Sequence, residues 1–173
     1  EKVLEWIGRF LGRIHAVGDD PGFARAYAGL SFVHFQNAFL RYTPEQPAEV
    51  RNARRFAERS VELDPMDPFA NLTMGRSFWL EGDLDTGLAW LERATAISPN
   101  YFQGVYARAW PDALSGRGAA GRADADTAMA LSPLDPPHNA MAATRAPRTS
   151  SLARTWTRRP GRSARRGRPV PMC

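Results

Sequence analysis

The sequence predicts an all-α solenoid, a stack of antiparallel helix hairpins, and three observations carry that prediction. First, three segments end alike, "AERSVELDP", "LERATAISP" and "DTAMALSP", and their prolines, Pro65, Pro99 and Pro133, fall 34 residues apart. Second, small residues recur at fixed offsets. Gly75, Ala109 and Ala143 lie ten residues after each proline, and Ser60, Ala94 and Ala128 lie five before it. Two helices of a hairpin approach closely only where no bulky side chain separates their backbones. Third, apolar residues between these landmarks recur every three or four positions, the helical period.

The elements follow in order. Residues 1–19 contain "EKVLEWIGRFLGRIHAV", which places Val3, Ile7, Phe10, Ile14 and Val17 on one face. This predicts an amphipathic helix, either the second half of a partial repeat or a linker. The chain begins at Glu1 rather than methionine and is read as a piece of a longer protein. Residues 20–145 form the array of about three repeats. In the first unit, Pro21 and Pro65 stand 44 apart, so about ten extra residues are expected between its helices, around "RYTPEQPAEV". There Pro44 and Pro47 forbid an uninterrupted helix.

The middle unit, "PFANLTMGRSFWLEGDLDTGLAWLERATAISPN", is the clearest. Met74, Phe78 and Leu80 sit at helical spacing before Gly82, a residue suited to a left-handed C-cap. Asp83 offers the next N-cap. Leu84, Leu88, Leu91, Ala94 and Ile97 then continue the period to Ser98 and Pro99. In the third unit Pro111 falls deep in the first helix, where it removes a hydrogen bond at about 3 kcal/mol, and a kink or early break is expected.

This pattern resembles the tetratricopeptide repeat, whose period is 34. The resemblance falls on Met74–Gly75, Phe78, Gly82, Gly87, Leu91, Ala94 and Pro99, and in the next unit on Ala109, Gly116, Gly121, Ala128 and Pro133. In the unit before, it falls on Tyr27, Leu30, Ser31, Ala53, Ala57, Ser60 and Pro65. Asp112 departs from it, standing where the family has an aromatic residue. The resemblance implies a tetratricopeptide-repeat α-solenoid over roughly residues 20–145. The stretches "FARAYAGLSFVHFQNAFLRYTP", "LDPMDPFANLTMGRSFWLEGDLD" and "SPNYFQGVYARAW" are also similar to repeat regions of bacterial multidomain regulators. In those, the array follows a class III nucleotide cyclase or a winged-helix DNA-binding domain. That similarity implies the coupling part of a signalling protein, or a fragment of such a regulator without its effector domain.

Charge separates the array from its end. Residues 146–173 hold eight of the 23 basic residues and none of the 18 acids, which leaves residues 1–145 at a net −3. The basic balance therefore belongs to the tail and implies no basic face on the array. In "APRTSSLARTWTRRPGRSARRGRPVPMC" the helical period stops, and Leu152, Trp156 and Val170 cannot form a core, so disorder is expected. Two origins remain open. A reading two nucleotides along permits "ADLDAAARSIRAARAP", which echoes "GDLDTGLAWLERATAISP" and predicts a frameshifted remnant of a fourth repeat. An evolved arm would instead bind nucleic acid through its arginines and a stacking Trp156.

No constellation carries chemistry. His15, His34 and His138 lie in different units with no cysteine near them, and Cys173 stands alone at the chain end. No metal, cofactor or catalytic residue is expected. Acids recurring at helix boundaries, Asp64/Asp67 and Asp83/Asp85, read as caps. "SGRGAAGRA" lacks the strand and the Lys-Ser/Thr of a phosphate loop and reads as a helix–turn–helix joint. No apolar run approaches a membrane span, and a cytoplasmic setting is expected.

The expected function is therefore a non-enzymatic protein-interaction module. The resemblance implies that the first helices line the concave side of the stack, and on that projection Phe32, Phe35, Phe69, Leu72, Arg76, Trp79, Tyr106 and Trp110 form a partner groove. Family members that clamp a C-terminal carboxylate use Lys, Arg and Asn, whereas Arg25 and Arg76 are the only cations here. An apolar occupant is expected: a peptide, a neighbouring domain of the parent protein, or a second copy. On this reading, replacing Trp79 and Trp110 abolishes capture without unfolding the array.

Overall fold

A computed structural model describes residues 20–133. The expectations for residues 1–19, for residues 134–145 and for the tail at residues 146–173 lie outside the described residues. Within them the regular structure is six α-helices: α1 (Ala24–Leu40), α2 (Gln46–Leu63), α3 (Pro68–Glu81), α4 (Leu84–Ile97), α5 (Phe102–Leu114) and α6 (Gly118–Leu131). They pair as α1/α2, α3/α4 and α5/α6, and α3 also packs on α1 and on α5. The first helices thus form one layer, with the second helices docked on them.

The hairpins close where the sequence is smallest. Backbones of α3 and α4 meet at Gly75 and Gly87. A Cβ on Gly75 would stand 2.8 Å from the Gly87 carbonyl oxygen and 2.7 Å from Leu91 Cγ. One repeat later a Cβ on Gly121 would lie 2.8 Å from the carbonyl oxygen of Ala109. In the first hairpin a hydroxyl joins the two helices instead, as Ser31 Oγ donates to the Ala53 carbonyl at 2.7 Å. Ala53, Ala94, Ala109 and Ala128 are fully buried, as close backbone approach requires.

The central turn forms as its residues dictate. Asp67 caps α3, its carboxylate accepting from the Phe69 and Ala70 N–H groups at 2.6 and 3.1 Å, with Pro68 in the first turn. Gly82 ends α3 at φ 86°, where a side chain would be strained. Asp83 caps α4 by accepting from Thr86 N–H at 3.1 Å.

Two expectations are corrected. The ten extra residues of the first unit do not form a long loop. They mostly lengthen the helices, to 17 and 18 residues against 14 and 14 in the middle unit, and leave only residues 41–45 as linker. Pro47 is accommodated in the first turn of α2, where its missing N–H costs nothing. The expected early break at Pro111 does not occur either, for α5 continues to Leu114. Pro111 lies in the last turn, its fixed φ suits a helix, and its ring is fully buried. Asp112, where an aromatic was expected from the family pattern, is buried against Arg117 Nε at 2.6 Å.

Candidate functional site

The eight predicted site residues all lie on the first helices α1, α3 and α5, but at different depths. Phe35 and Trp79 are 4% and 3% exposed and meet tilted at 5.5 Å between ring centres, with Phe39 packed on both. Leu72 is fully buried against Leu91, Ala94 and Ala107. These three belong to the core, a correction to their reading as groove surface. The reason is spacing: α3 packs on α1 and α5 and on its hairpin partner α4, so residues pointing between helices are covered by a neighbour.

Phe32, Phe69, Tyr106 and Trp110 remain partly exposed. Phe32 and Phe69 meet at 6.0 Å between ring centres, joining α1 to α3. Tyr106 and Trp110 meet edge-on at 6.5 Å on α5, and Trp110 lies 5.8 Å from Trp79 behind it. Two partly exposed ring pairs thus result, one joining α1 to the start of α3 and one on α5. Between them stands Arg76, only 6% exposed, its guanidinium 5.0 and 5.1 Å from the ring centres of Phe32 and Phe35.

Electrostatics on this face are uneven. Asp67 pairs with Arg25, and that hydrogen bond raises the guanidinium pKa of Arg25. Burial pushes the Arg76 pKa down, and the groups that act on its charge are the phenols of Tyr106 and Tyr101. Burial in turn raises Tyr106 and pushes Tyr101 up to about 12. Sequence reasoning did not find Tyr101, which precedes α5 and packs against the Leu72 cluster; its period position alone gave no signal of burial. The folded chain holds the Tyr101 proton more tightly than the unfolded chain does, whose phenol titrates near 10. Stability is therefore expected to be flat up to about pH 10 and to fall as pH rises towards 12, at most about 1.4 kcal/mol per unit. Urea unfolding at pH 9, 10 and 11 checks this, with Tyr101→Phe flattening the decline.

Elsewhere several charged side chains are paired. Arg54 covers the Phe78 ring at 3.3 Å and reaches Glu81 at 2.6 Å. Arg108 grips Asp124 through two bonds of 2.6 Å. His34 meets Glu49 at 2.6 Å and stacks on Phe56, a half-buried histidine held by a carboxylate. Among the described residues no three His, Cys, Asp or Glu side chains converge as a metal site, and no helix is long and apolar enough to cross a membrane.

Searches against protein-family models and curated proteins match nothing. Solved structures do match. A thermophilic TPR protein of Thermus thermophilus aligns with a TM-score of 0.64 at 19% identity, over 78% of this chain and 70% of that one. The TPR domain of Arabidopsis OM64 aligns with a TM-score of 0.51 at 14% identity, over 68% and 94%. The first TPR of Spaghetti (RPAP3), solved bound to the HSP90 peptide SRMEEVD, gives 0.51 at 11% identity, over 68% and 91%. The chain has the tetratricopeptide-repeat fold.

Proposed function

We propose that this chain is a non-enzymatic interaction module whose first-helix layer receives an apolar segment of a protein partner. The observation that carries the reading is the two partly exposed ring pairs, Phe32/Phe69 between α1 and α3 and Tyr106/Trp110 on α5. Rings anchored from behind supply contact area with little left to order on binding. A solved structure of the same fold holds a peptide, which supports a peptide-like occupant here.

The finer reading is a regulatory or coupling part of a bacterial signalling protein, acting in the cytoplasm. It rests on the similarity of the three stretches quoted above to repeat regions of bacterial regulators. An effector domain encoded immediately upstream of residue 1 is the outcome that supports it.

Selection of 12-residue displayed peptides on the chain tests the module reading. Enriched sequences are expected to carry two apolar or aromatic anchors. The double variant Phe32→Ala/Tyr106→Ala should weaken them by about tenfold or more while keeping its helical circular dichroism. Failure to enrich any sequence, or full binding by the double variant, overturns the reading.

A further inference from the structure

Arg76 differs from the other well-buried arginines of the array. The Arg54 and Arg108 side chains, 13% and 29% exposed, each end on a carboxylate 2.6 Å away. Arg76 is more deeply buried, yet its Nε is buried without a hydrogen-bond partner. No carboxylate among the described residues pairs with it. Asp67, at the start of the same helix, is already committed to the cap of α3 and to Arg25. The rings of Phe32 and Phe35 lend a cation–π contact, which offsets part of the charge but accepts no hydrogen bond in the guanidinium plane. A buried cation without a counter-charge is costly to the free chain, and such a cost is retained where a ligand repays it.

The partly exposed rings say where that ligand runs. One pair, Phe32/Phe69, lies towards α1, and the other, Tyr106/Trp110, lies on α5, so apolar ground continues on both sides of the guanidinium. A chain terminus would need such ground on one side only. We propose that Arg76 is a carboxylate receptor in the groove floor. It takes an aspartate or glutamate side chain from the interior of a partner segment whose flanking apolar residues rest on the two ring pairs. This rests on the groove reading above and adds the chemistry of its central contact. The planar N–H fork of arginine matches a carboxylate in geometry.

Three synthetic pentapeptides test it against the full chain by NMR titration: acetyl-Leu-Phe-Glu-Phe-Leu-amide, its glutamine counterpart, and the glutamine peptide with a free C-terminal carboxylate. The glutamate peptide is expected to bind about tenfold more tightly than either glutamine peptide. Arg76→Met should erase that preference and raise the thermal midpoint of the free chain, because it removes an unpaired buried charge; Arg76→Lys should keep part of the preference. A purely structural Arg76 predicts the reverse, a lower midpoint with the preference intact, which overturns the proposal. Equal binding of the glutamate and glutamine amides overturns it and leaves the groove reading standing. Preference for the free-acid glutamine peptide overturns the side-chain assignment. Binding by none of the three overturns the groove reading with it. Should Arg76→Met fail to fold, the Arg76 Nε–H resonance of the parent chain decides, shifting with the glutamate peptide and not with the glutamine amide.

Discussion

Gly75→Val is expected to destroy the cooperative unfolding of the array. A Cβ at this position would sit 2.8 Å from the backbone oxygen of Gly87 and within 2.9 Å of two Leu91 carbons. Neither helix can yield cheaply, because the obstacle is backbone on a helix that also packs against α5. Overpacking of this kind costs about 3 kcal/mol at the upper end of its usual range, and a domain holds only about 5–15 in total. The strain also falls in the central hairpin, through which the outer two are coupled, and stability in a repeat array is a sum over neighbours. Urea unfolding followed by circular dichroism should show a midpoint collapse or a broad, probe-dependent transition. Gly118→Ala is the control, since a Cβ there meets nothing within 4 Å, and it should leave the midpoint unchanged or slightly raised. A Gly75→Val chain as stable as its parent would sink the account of hairpin closure given above.

Trp79→Ala carries the second large effect, and it is an effect on folding. The indole is 3% exposed, with Phe39, Phe35 and Trp110 at 5.4, 5.5 and 5.8 Å between ring centres. Removing a ring so enclosed costs about 3–5 kcal/mol, transfer and cavity together. Replacing Trp79 and Trp110 together, which the sequence offers as a test of binding, is therefore expected to read mostly as unfolding. Phe32→Ala should be far milder, because its ring is partly in water before the change. Parallel thermal melts of the two single variants check this, and equal midpoints would place Trp79 on the surface after all.

The fold was legible because its constraints are local and periodic. Pro65, Pro99 and Pro133 mark unit ends, Gly82 and Asp83 announce the central turn, and the small residues at 75, 94, 109 and 128 fall where hairpin backbones touch. Pro111 misled as to an early break because the cost of a proline depends on its place. In the last turn of a helix, with its ring in the core, the lost hydrogen bond is offset by burial. The extra length of the first unit misled for a related reason. Two prolines in ten residues show that a helix must break, but not that Pro47 can open the next one.

The site was only half legible. Helical spacing assigns Phe32, Phe35, Phe69, Leu72, Arg76, Trp79, Tyr106 and Trp110 to one face of the first helices, but packing divides them between core and partly exposed positions. Spacing along a helix fixes direction but not depth. Whether a ring ends in water or in the core depends on how near the next helix lies, and that distance is set by residues 34 or 44 positions away. The sequence by itself thus determined the repeat and its caps. Only tertiary packing decided that Leu72, Phe35 and Trp79 are core, that four rings stay partly exposed, and that Arg76 is buried among them without a carboxylate. Pairing and burial are relations between elements, and no single stretch of chain encodes them.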